Sequence, residues 1–313
     1  MTSIKKQNKF IKKILSKPYL FRKIITLSIE EVKLLSQKLE PEWEQREKKR
    51  LLISNPNRIN ELGQGRPYEL GGIFNLLTAT ILYLRTSMGY DLLALLLDID
   101  KTTVKRAIKR VIPLLEDRFI PKTKITSYKR RSNNIDDLLE QFPELKDVIF
   151  DGTECSIQRP KKRQATSYSG KKKRHTKKIQ IAIDKKTKLI LGISPPLKGK
   201  IHDKKQIEKT NWDKKLPKDI NRYGDLGYQG MPKDNWIIPV KKPKNDELTK
   251  KQKRNNKKIC KERFFVEHAI RGIKIFRRIG ETITIKTDKF LYSVFFASSN
   301  LYNFKRLVRQ GIN

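Results

Sequence analysis

The sequence is poor in the residues that build covalent crosslinks or soft-metal sites. It contains two cysteines, Cys155 and Cys260, and three histidines among 313 residues. Two cysteines cannot form a disulfide framework or a cysteine-based zinc site. Apolar runs are also short, since the longest uncharged one, at 70–84, falls below the roughly 18 residues that span a bilayer. We therefore expect a soluble cytoplasmic protein with reduced thiols.

Acidic residues are scarce relative to basic ones. Lys and Arg total 72 and Asp and Glu total 33, so the formal net charge is +39. A compact fold with this charge repels itself, and a polyanionic partner is the simplest explanation. Nucleic acid is the leading candidate, and an acidic membrane surface is the alternative. We expect no membrane insertion and a location in the cytoplasm in association with the nucleoid.

The N-terminal region predicts helices after a basic start. Residues 1–29 are basic without an acid, which fits either a flexible arm that touches phosphates or a solvated tail. Ser28 and Glu31 have capping-box spacing and predict a helix that ends before Pro41. A second charged helix is expected over 42–52, and a loop follows at 55–67.

Residues 70–115 predict a helix-turn-helix. A buried helix at 70–84 and a shorter one at 90–97 precede a turn, and Asp100 is placed to cap a basic amphipathic helix at 101–115. The alternative is a small bundle with a solvated basic face. The side chains expected to contact DNA from this helix are Thr102, Lys105, Arg106 and Lys109.

An apolar run at 148–150 ends at an acidic residue, Asp151, which Gly152 follows. Such a run predicts a buried strand that ends at this Asp. Taken alone, the Asp could simply hydrogen-bond a turn. A buried carboxylate otherwise needs a partner or a metal.

Two more carboxylates occupy similar positions. Asp225 lies in RYGDLGYQG (222–230), which predicts a strand end entering a tight turn. A helix predicted at 260–279 carries Glu267 on its polar face, whereas Glu262 lies near its apolar arc. Oxygen ligands with scarce His and Cys favour Mg²⁺. Two such ions about 3.5–4 Å apart serve phosphodiester chemistry.

Two basic segments, 159–178 and 241–261, connect elements that carry these carboxylates. We expect the first to be a loop leading into a hairpin at 178–194. We expect both segments to hold a phosphate backbone without reading its sequence. The alternative is a pair of solvated charge runs. The residues expected to bear the phosphate contacts are Lys171, Lys172 and Lys173. Asp203 is a plausible N-cap for the next helix.

Several ordered motifs resemble those of DDE-type insertion-sequence transposases, in the branch related to the eukaryotic Harbinger transposases. They are IFDGTE (149–154), RP (159–160), YSGKKKRHTKK (168–178), GKIHD (199–203), GDLGYQG (224–230) and RFFVEHAIRGIK (263–274). The last has the family's Arg–Glu–Lys spacing, although Cys260 stands where the family often has Tyr.

The resemblance implies a ribonuclease H-like catalytic fold whose metal-binding triad is Asp151, Asp225 and Glu267. It implies two Mg²⁺ ions, for which Mn²⁺ can substitute. Arg263 and Lys274 would contact phosphates or orient the carboxylate. The accessory positions implied near this site are His202, which could equally be a loop histidine beside a helix cap, and Asp203.

The expected organisation is a basic arm with helices (1–64), a helix-turn-helix (65–120), a linker (121–145) and an α/β catalytic domain with a mixed sheet (146–313). The expected function is transposition of an element with terminal inverted repeats, by a homo-oligomer bound to double-stranded DNA at the element ends and at the target. The alternatives are a metal-dependent nuclease that does not join strands and a non-catalytic DNA-binding regulator.

Overall fold

The computed structural model describes residues 8–60, 68–116, 145–162, 164–211 and 216–311. The chain divides into two units. One comprises Met1–Glu116, Phe276–Arg278 and Leu307–Asn313, and the other comprises Asp117–Ile275 and Ile279–Arg306. The linker expected at 121–145, including a short helix expected at 135–141, lies outside the described residues apart from Leu145.

The described part of the N-terminal unit is helical. Its helices are α1 (Lys9–Leu15), α2 (Pro18–Ile25), α3 (Ile29–Ser54), α4 (Ile73–Thr86), α5 (Tyr90–Leu97) and α6 (Lys101–Glu116). The two readings of residues 1–29, a flexible arm or a solvated tail, were both wrong for the described part, because α1 and α2 bury Ile11, Ile14, Phe21 and Ile25.

Helix α3 begins at the predicted capping box but does not end before Pro41, so the prediction of two helices was wrong. The Ser28 hydroxyl accepts from the Glu31 amide, and the Glu31 carboxylate accepts from the Ser28 amide. Pro41 lies inside the helix and costs one backbone hydrogen bond. Leu39 and Trp43 are buried on either side of it, and their packing outweighs that loss.

The predicted helix-turn-helix geometry is present in α5 and α6. Helix α5 ends at Leu97, and its C-cap, Asp98, adopts the left-handed conformation. The Asp100 carboxylate then accepts hydrogen bonds from the backbone amides of Thr102 at 2.6 Å and Thr103 at 3.3 Å, and so caps α6. The expected inner face of α6 is buried. Its members include Val104, Ile108, Val111 and Leu115.

A buried charge network links α3 to α6. The carboxylate of Glu47, whose side chain is 3% exposed, accepts hydrogen bonds from Arg50 at 2.9 Å and from the hydroxyl of Tyr68, and lies 3.6 Å from Arg110. Burial works to raise the pKa of Glu47, but the hydrogen bonds from Arg50 and Tyr68 and the charge of Arg110 outweigh it and lower that pKa.

The strands of the described chain all belong to the second unit. From residue 145 onward the elements are β1 (Asp147–Ser156), α7 (Gln164–Ser167), β2 (Tyr168–Ser169), β3 (Arg174–Asp184), β4 (Ile190–Ile193), β5 (Leu197–Lys198), α8 (Asp203–Thr210), β6 (Asn221–Tyr223), a 3₁₀ turn (Leu226–Tyr228), β7 (Trp236–Ile237), α9 (Lys250–Lys274), α10 (Arg277–Gly280) and α11 (Asp288–Arg309). The segment at 159–178 is therefore not one loop, since it contains α7, β2 and the start of β3.

The strands form one mixed sheet in the order β2-β3-β1-β6-β7, and β4 and β5 also pair with β3. β1 pairs antiparallel with β3 and parallel with β6, and β6 pairs parallel with β7. One core cluster packs Val148 and Phe150 of β1 against Ile207 of α8 and Trp236 of β7. This arrangement confirms the expected ribonuclease H-like fold, preceded by a helical region.

None of the helices in the described chain is long and apolar enough to cross a membrane.

Replacing Glu47 with Gln should lower the free energy of unfolding of the N-terminal unit by about 1–3 kcal/mol at pH 7, because Arg50 and Arg110 lose a charged acceptor. The pKa of Glu47 is lowered, so its contribution is present above the unfolded-state pKa and is lost as pH falls through the folded-state value. Denaturant unfolding of Glu47→Gln and of the exposed control Glu44→Gln should show a deficit in the first variant that shrinks towards pH 3. Equal stability of the two variants at pH 7 would contradict this role.

Candidate active site

The register of two parallel strands brings Asp151 and Asp225 together. Ile149 of β1 lies opposite Tyr223 of β6, and each aspartate follows its member of this pair by two residues. β6 ends at Tyr223, but β1 continues to Ser156 because it stays paired with β3. The prediction that the first strand ends at Asp151 was therefore wrong. The end of β6 leaves the two aspartates at a common edge.

Backbone amides orient both carboxylates. The amide of Gly152 donates to Oδ1 of Asp151 at 2.8 Å, and the amide of Gly227 donates to Oδ1 of Asp225 at 2.8 Å. Nη2 of Arg263 lies 3.7 Å from Oδ1 of Asp151 and is its cationic neighbour. The turn that the sequence allowed as the ordinary partner of Asp151 is absent there, because Asp151 and Gly152 both lie within β1.

Asp151 has an unusual proton affinity. Burial raises the pKa of its carboxyl group, Arg263 opposes the rise, and the charges of Asp225 and Asp203 add to it, so that the pKa is about 6. Burial, together with the neighbouring carboxylates, therefore outweighs the effect of Arg263 on this pKa. Such perturbation in a cluster of titratable groups is typical of functional sites.

Asp203 contributes a third aspartate to this region. It is the first residue of α8, and the N-cap is His202, which makes no side-chain capping bond, so the prediction that Asp203 is the N-cap was wrong. Its Oδ2 accepts from Nζ of Lys178 at 3.0 Å. Asp203 does not cap α8 because its side chain lies over Gly152 rather than turning back to the helix amides.

Helix α9 places Arg263 at the site and differs from its predicted bounds. It begins at Lys250, ten residues before the expected start, behind a Thr249–Gln252 capping box that the sequence pattern could have indicated. It ends at Lys274 rather than at 279. The second basic segment is therefore partly helix. Phe265 on this helix is 37% exposed.

Glu267 lies one turn beyond Arg263 on α9, with an exposed side chain. The charged neighbours that set the pKa of Asp151 are Arg263, Asp225 and Asp203. Two other carboxylates, on α9 and on β1, are engaged elsewhere. Glu262 lies 3.4 Å from Nζ of Lys185, and Glu154 accepts from the hydroxyl of Thr176. The assignment of Glu267 as the third ligand stays a prediction.

The basic candidates occupy different settings. On α6, Thr102, Lys105, Arg106 and Lys109 are exposed. Lys171, Lys172 and Lys173 are exposed at the turn between β2 and β3. Lys274 instead donates to the backbone oxygen of Glu154 at 3.0 Å, and His202 is exposed.

The carboxylates have the right chemistry for a hard divalent cation, because they offer oxygen ligands with surplus negative charge. Oδ1 of Asp203 is buried and accepts no hydrogen bond from the described residues, which also fits a cation nearby. Within the described ranges, no three His, Cys, Asp or Glu side chains are already grouped closely enough to hold an ion. Asp151 and Asp203 have cationic neighbours instead, Arg263 and Lys178 respectively.

Asp151→Asn should stabilise the DNA-free protein in chelator at pH 7.5. Because the folded-state pKa of about 6 lies above the ordinary value of 3.8, stability falls as pH rises through this interval, and Asn abolishes that loss while keeping the Oδ1 acceptor. The gain should be at most about 3 kcal/mol, less what the Arg263 pair contributes. Thermal unfolding should show the gain at pH 7.5, little gain at pH 4, and none for exposed Asp234→Asn. Equal destabilisation by Asp151→Asn at both pH values would refute it.

Comparisons with known proteins agree with this architecture. Residues 150–303 match the DDE superfamily endonuclease family, and residues 68–121 match the helix-turn-helix of DDE superfamily endonuclease. The chain is also similar to the probable transposase for insertion sequence element IS702 from Microchaete diplosiphon, at 39% identity over 131 residues, which are 41% of this chain and 46% of that protein. The chain thus spans about half the length of this curated relative. No solved structure matches the chain significantly.

The relation to the Harbinger transposases stays a prediction. The chain belongs to the DDE superfamily endonucleases and carries both the family's helix-turn-helix and its endonuclease domain.

Proposed function

We propose that the chain is an insertion-sequence transposase that binds the terminal inverted repeats of its element, cleaves the element ends and joins the 3′-hydroxyls to target DNA. The observation that carries this proposal is the proximity of Asp151 and Asp225 at the edge where β6 ends, inside an endonuclease domain. The net charge of +39 and the similarity to a probable transposase support a DNA substrate.

The residues that would hold the metal are Asp151, Asp225 and Glu267. DDE endonucleases generally use divalent metal ions, and the all-oxygen ligand set favours two Mg²⁺ ions with Mn²⁺ as a substitute. Bound divalent ions supply a more acidic attacking water or hydroxyl and neutralise charge on the leaving oxygen. Glu267 is the third candidate because it is four residues from Arg263 and shares its side of α9.

The protein's own groups orient the reacting atoms. The amides of Gly152 and Gly227 fix the rotation of the two aspartates, and Arg263 balances part of the charge on Asp151. Strand cleavage and strand joining are both in-line displacements at phosphorus, so a single site serves both. Lys171, Lys172 and Lys173 at an exposed turn would hold the phosphate backbone.

Sequence recognition is assigned to α6. Its exposed polar side carries Thr102, Lys105, Arg106 and Lys109, the arrangement that a recognition helix uses in the major groove. Because a transposition reaction must hold two element ends, we propose that the protein acts on double-stranded DNA as a homo-oligomer.

Asp225→Asn should reduce Mg²⁺-dependent cleavage of an end-containing DNA by about 100-fold or more, because a charged oxygen ligand is lost. Its affinity for DNA should change little, because DNA binding depends on basic side chains. Gel-based cleavage, strand-joining and binding assays should be run beside the exposed control Asp234→Asn. Unchanged cleavage would remove Asp225 from the site. Cleavage by the parent protein without any strand joining would identify a nuclease rather than a transposase.

Changing Arg106 and Lys109 to Ala together should weaken binding to element ends. If the two side chains contact bases, discrimination between end and random DNA should fall by about 1–3 kcal/mol per good contact. If they contact only phosphates, all DNA should weaken alike and the salt slope should fall by about one per contact. The matched control is Lys48 and Lys49 to Ala, exposed residues of α3. Unchanged affinity and slope in the α6 variant would leave only a solvated basic face.

A further inference from the structure

The start of α8 is fixed against β3, the neighbour of the strand that carries Asp151. Nε2 of Gln180 donates to the backbone oxygen of Asp203 at 2.8 Å, and Gln180 is the register partner of Gly152. Nε2 of Gln206 donates to the backbone oxygen of Lys178 at 3.2 Å. Both glutamines are fully buried. These hydrogen bonds hold the first turn of α8, and with it the Asp203 side chain, beside Gly152. The mechanism proposed above assigns no role to this arrangement.

The Asp203 carboxylate has no structural task that accounts for both of its oxygens. It does not cap α8, whose N-cap is His202. Oδ2 is paired with Lys178, but Oδ1 is buried and accepts no hydrogen bond from any described residue. A buried carboxylate oxygen without a donor is costly, and the cost would be removed by a cation at that oxygen.

Two glycines allow this carboxylate to reach the other aspartates. A methyl group on Gly152 would overlap Oδ1 of Asp203. A methyl group on Gly227 would lie 2.8 Å from Oδ2 of Asp203 and 2.9 Å from Oδ1 of Asp225. The carboxylates of Asp203 and Asp225 therefore flank the same backbone position. The absence of a side chain at Gly152 and at Gly227 makes this approach sterically possible.

We infer that Asp203 is a further ligand of the divalent cation held by Asp151 and Asp225, and that Lys178 is the counter-ion it exchanges for that cation. This inference rests on the proposed function, because it assumes that the site takes a divalent cation. It adds a third aspartate, from the first turn of α8, to the ligands proposed from the sequence motifs.

Lys178 is suited to such an exchange. Its Nζ donates to Oδ2 of Asp203 at 3.0 Å and to the backbone oxygen of Ile201 at 3.3 Å. An ammonium group on a flexible four-carbon stem can move away from one carboxylate while it keeps a carbonyl partner. The lysine and the metal ion then compete for one carboxylate. Removing the ligand and removing its competitor must change cation affinity in opposite directions.

The first test measures Mn²⁺ and Mg²⁺ binding to the full chain without DNA by isothermal titration calorimetry. Asp203→Asn should weaken cation binding by about 10–100-fold or more, the loss seen when even an outer partner of a metal site is removed. Lys178→Met should tighten binding. In chelator Lys178→Met should also melt below the parent protein and regain stability when Mn²⁺ is added. Glu208→Gln removes an exposed charge from the same helix and should bind as the parent does.

A second variant tests position without changing charge. Gly152→Ala should weaken cation binding by displacing the Asp203 carboxylate, whereas Gly170→Ala, where an added methyl group meets no atom within 4 Å, should not. This variant decides the question if Asp203→Asn does not fold.

The outcomes separate the inference from the function it rests on. If the parent protein binds no divalent cation, the proposed function fails and the inference fails with it. If Asp225→Asn loses cation binding while Asp203→Asn and Gly152→Ala retain it, only the inference is overturned. If folded Lys178→Met binds as weakly as Asp203→Asn, the pair is a structural ion pair and the exchange is refuted.

Discussion

Repulsion among closely placed carboxylates is the constraint that the second unit of the chain has to satisfy. Asp225 and Asp203 both raise the pKa of Asp151, beyond the rise that burial causes. The hydroxyl of Tyr228 has a pKa raised well above its ordinary value, mainly by burial and then by the charges of Asp203, Asp151 and Asp225. All three aspartates therefore act on one buried point. The fold compensates with cationic side chains, Arg263 at Asp151 and Lys178 at Asp203.

The sheet makes room for this cluster because β6 ends earlier than its neighbour β1. β1 stays paired with β3 through Ser156, whereas its pairing with β6 ends at Tyr223. The loss of one neighbour opens the space into which Asp225 turns, and the Asp225–Gly227 hydrogen bond closes that turn. Longer pairing between β1 and β6 would place an inter-strand ladder where the carboxylates now lie. The site is therefore a consequence of unequal strand length as much as of residue type.

Much of this could be predicted from the sequence, and the errors have identifiable causes. The position of Asp151 follows from a short apolar run that ends at an acid beside glycine. That of Asp225 follows from the glycines on both sides of it, and the α6 face follows from helical spacing. The continuation of β1 beyond Asp151 could not be predicted, since it depends on pairing with β3, which lies far along the chain. Helix α3 continues past Pro41 because Leu39 and Trp43 are buried on either side of it. Helix propensity is a local property and does not predict such tertiary packing.

The role of Asp203 shows a second limit of sequence reasoning. At the start of a helix an aspartate ordinarily caps, and local spacing favours that role. The structure gives the position to His202 and turns the Asp203 carboxylate over Gly152, a residue about fifty positions earlier. A glycine beside an acid can be recognised in the sequence, but the atom that fills the space it leaves is known only from the fold.

Under the proposed function, the negative cluster also bears on how a chain of net charge +39 would bind DNA. Basic side chains attract the phosphate backbone, but three aspartates at the reacting position would repel the same phosphates. Any cation that neutralises the aspartates removes this repulsion, so cation binding and DNA binding must strengthen each other by the same factor. Arg263 does not cancel the combined effect of burial and the neighbouring carboxylates, because the pKa of Asp151 is still raised. Under the proposed function, DNA would therefore be held near the aspartates most tightly when the charge needed for phosphodiester chemistry is in place.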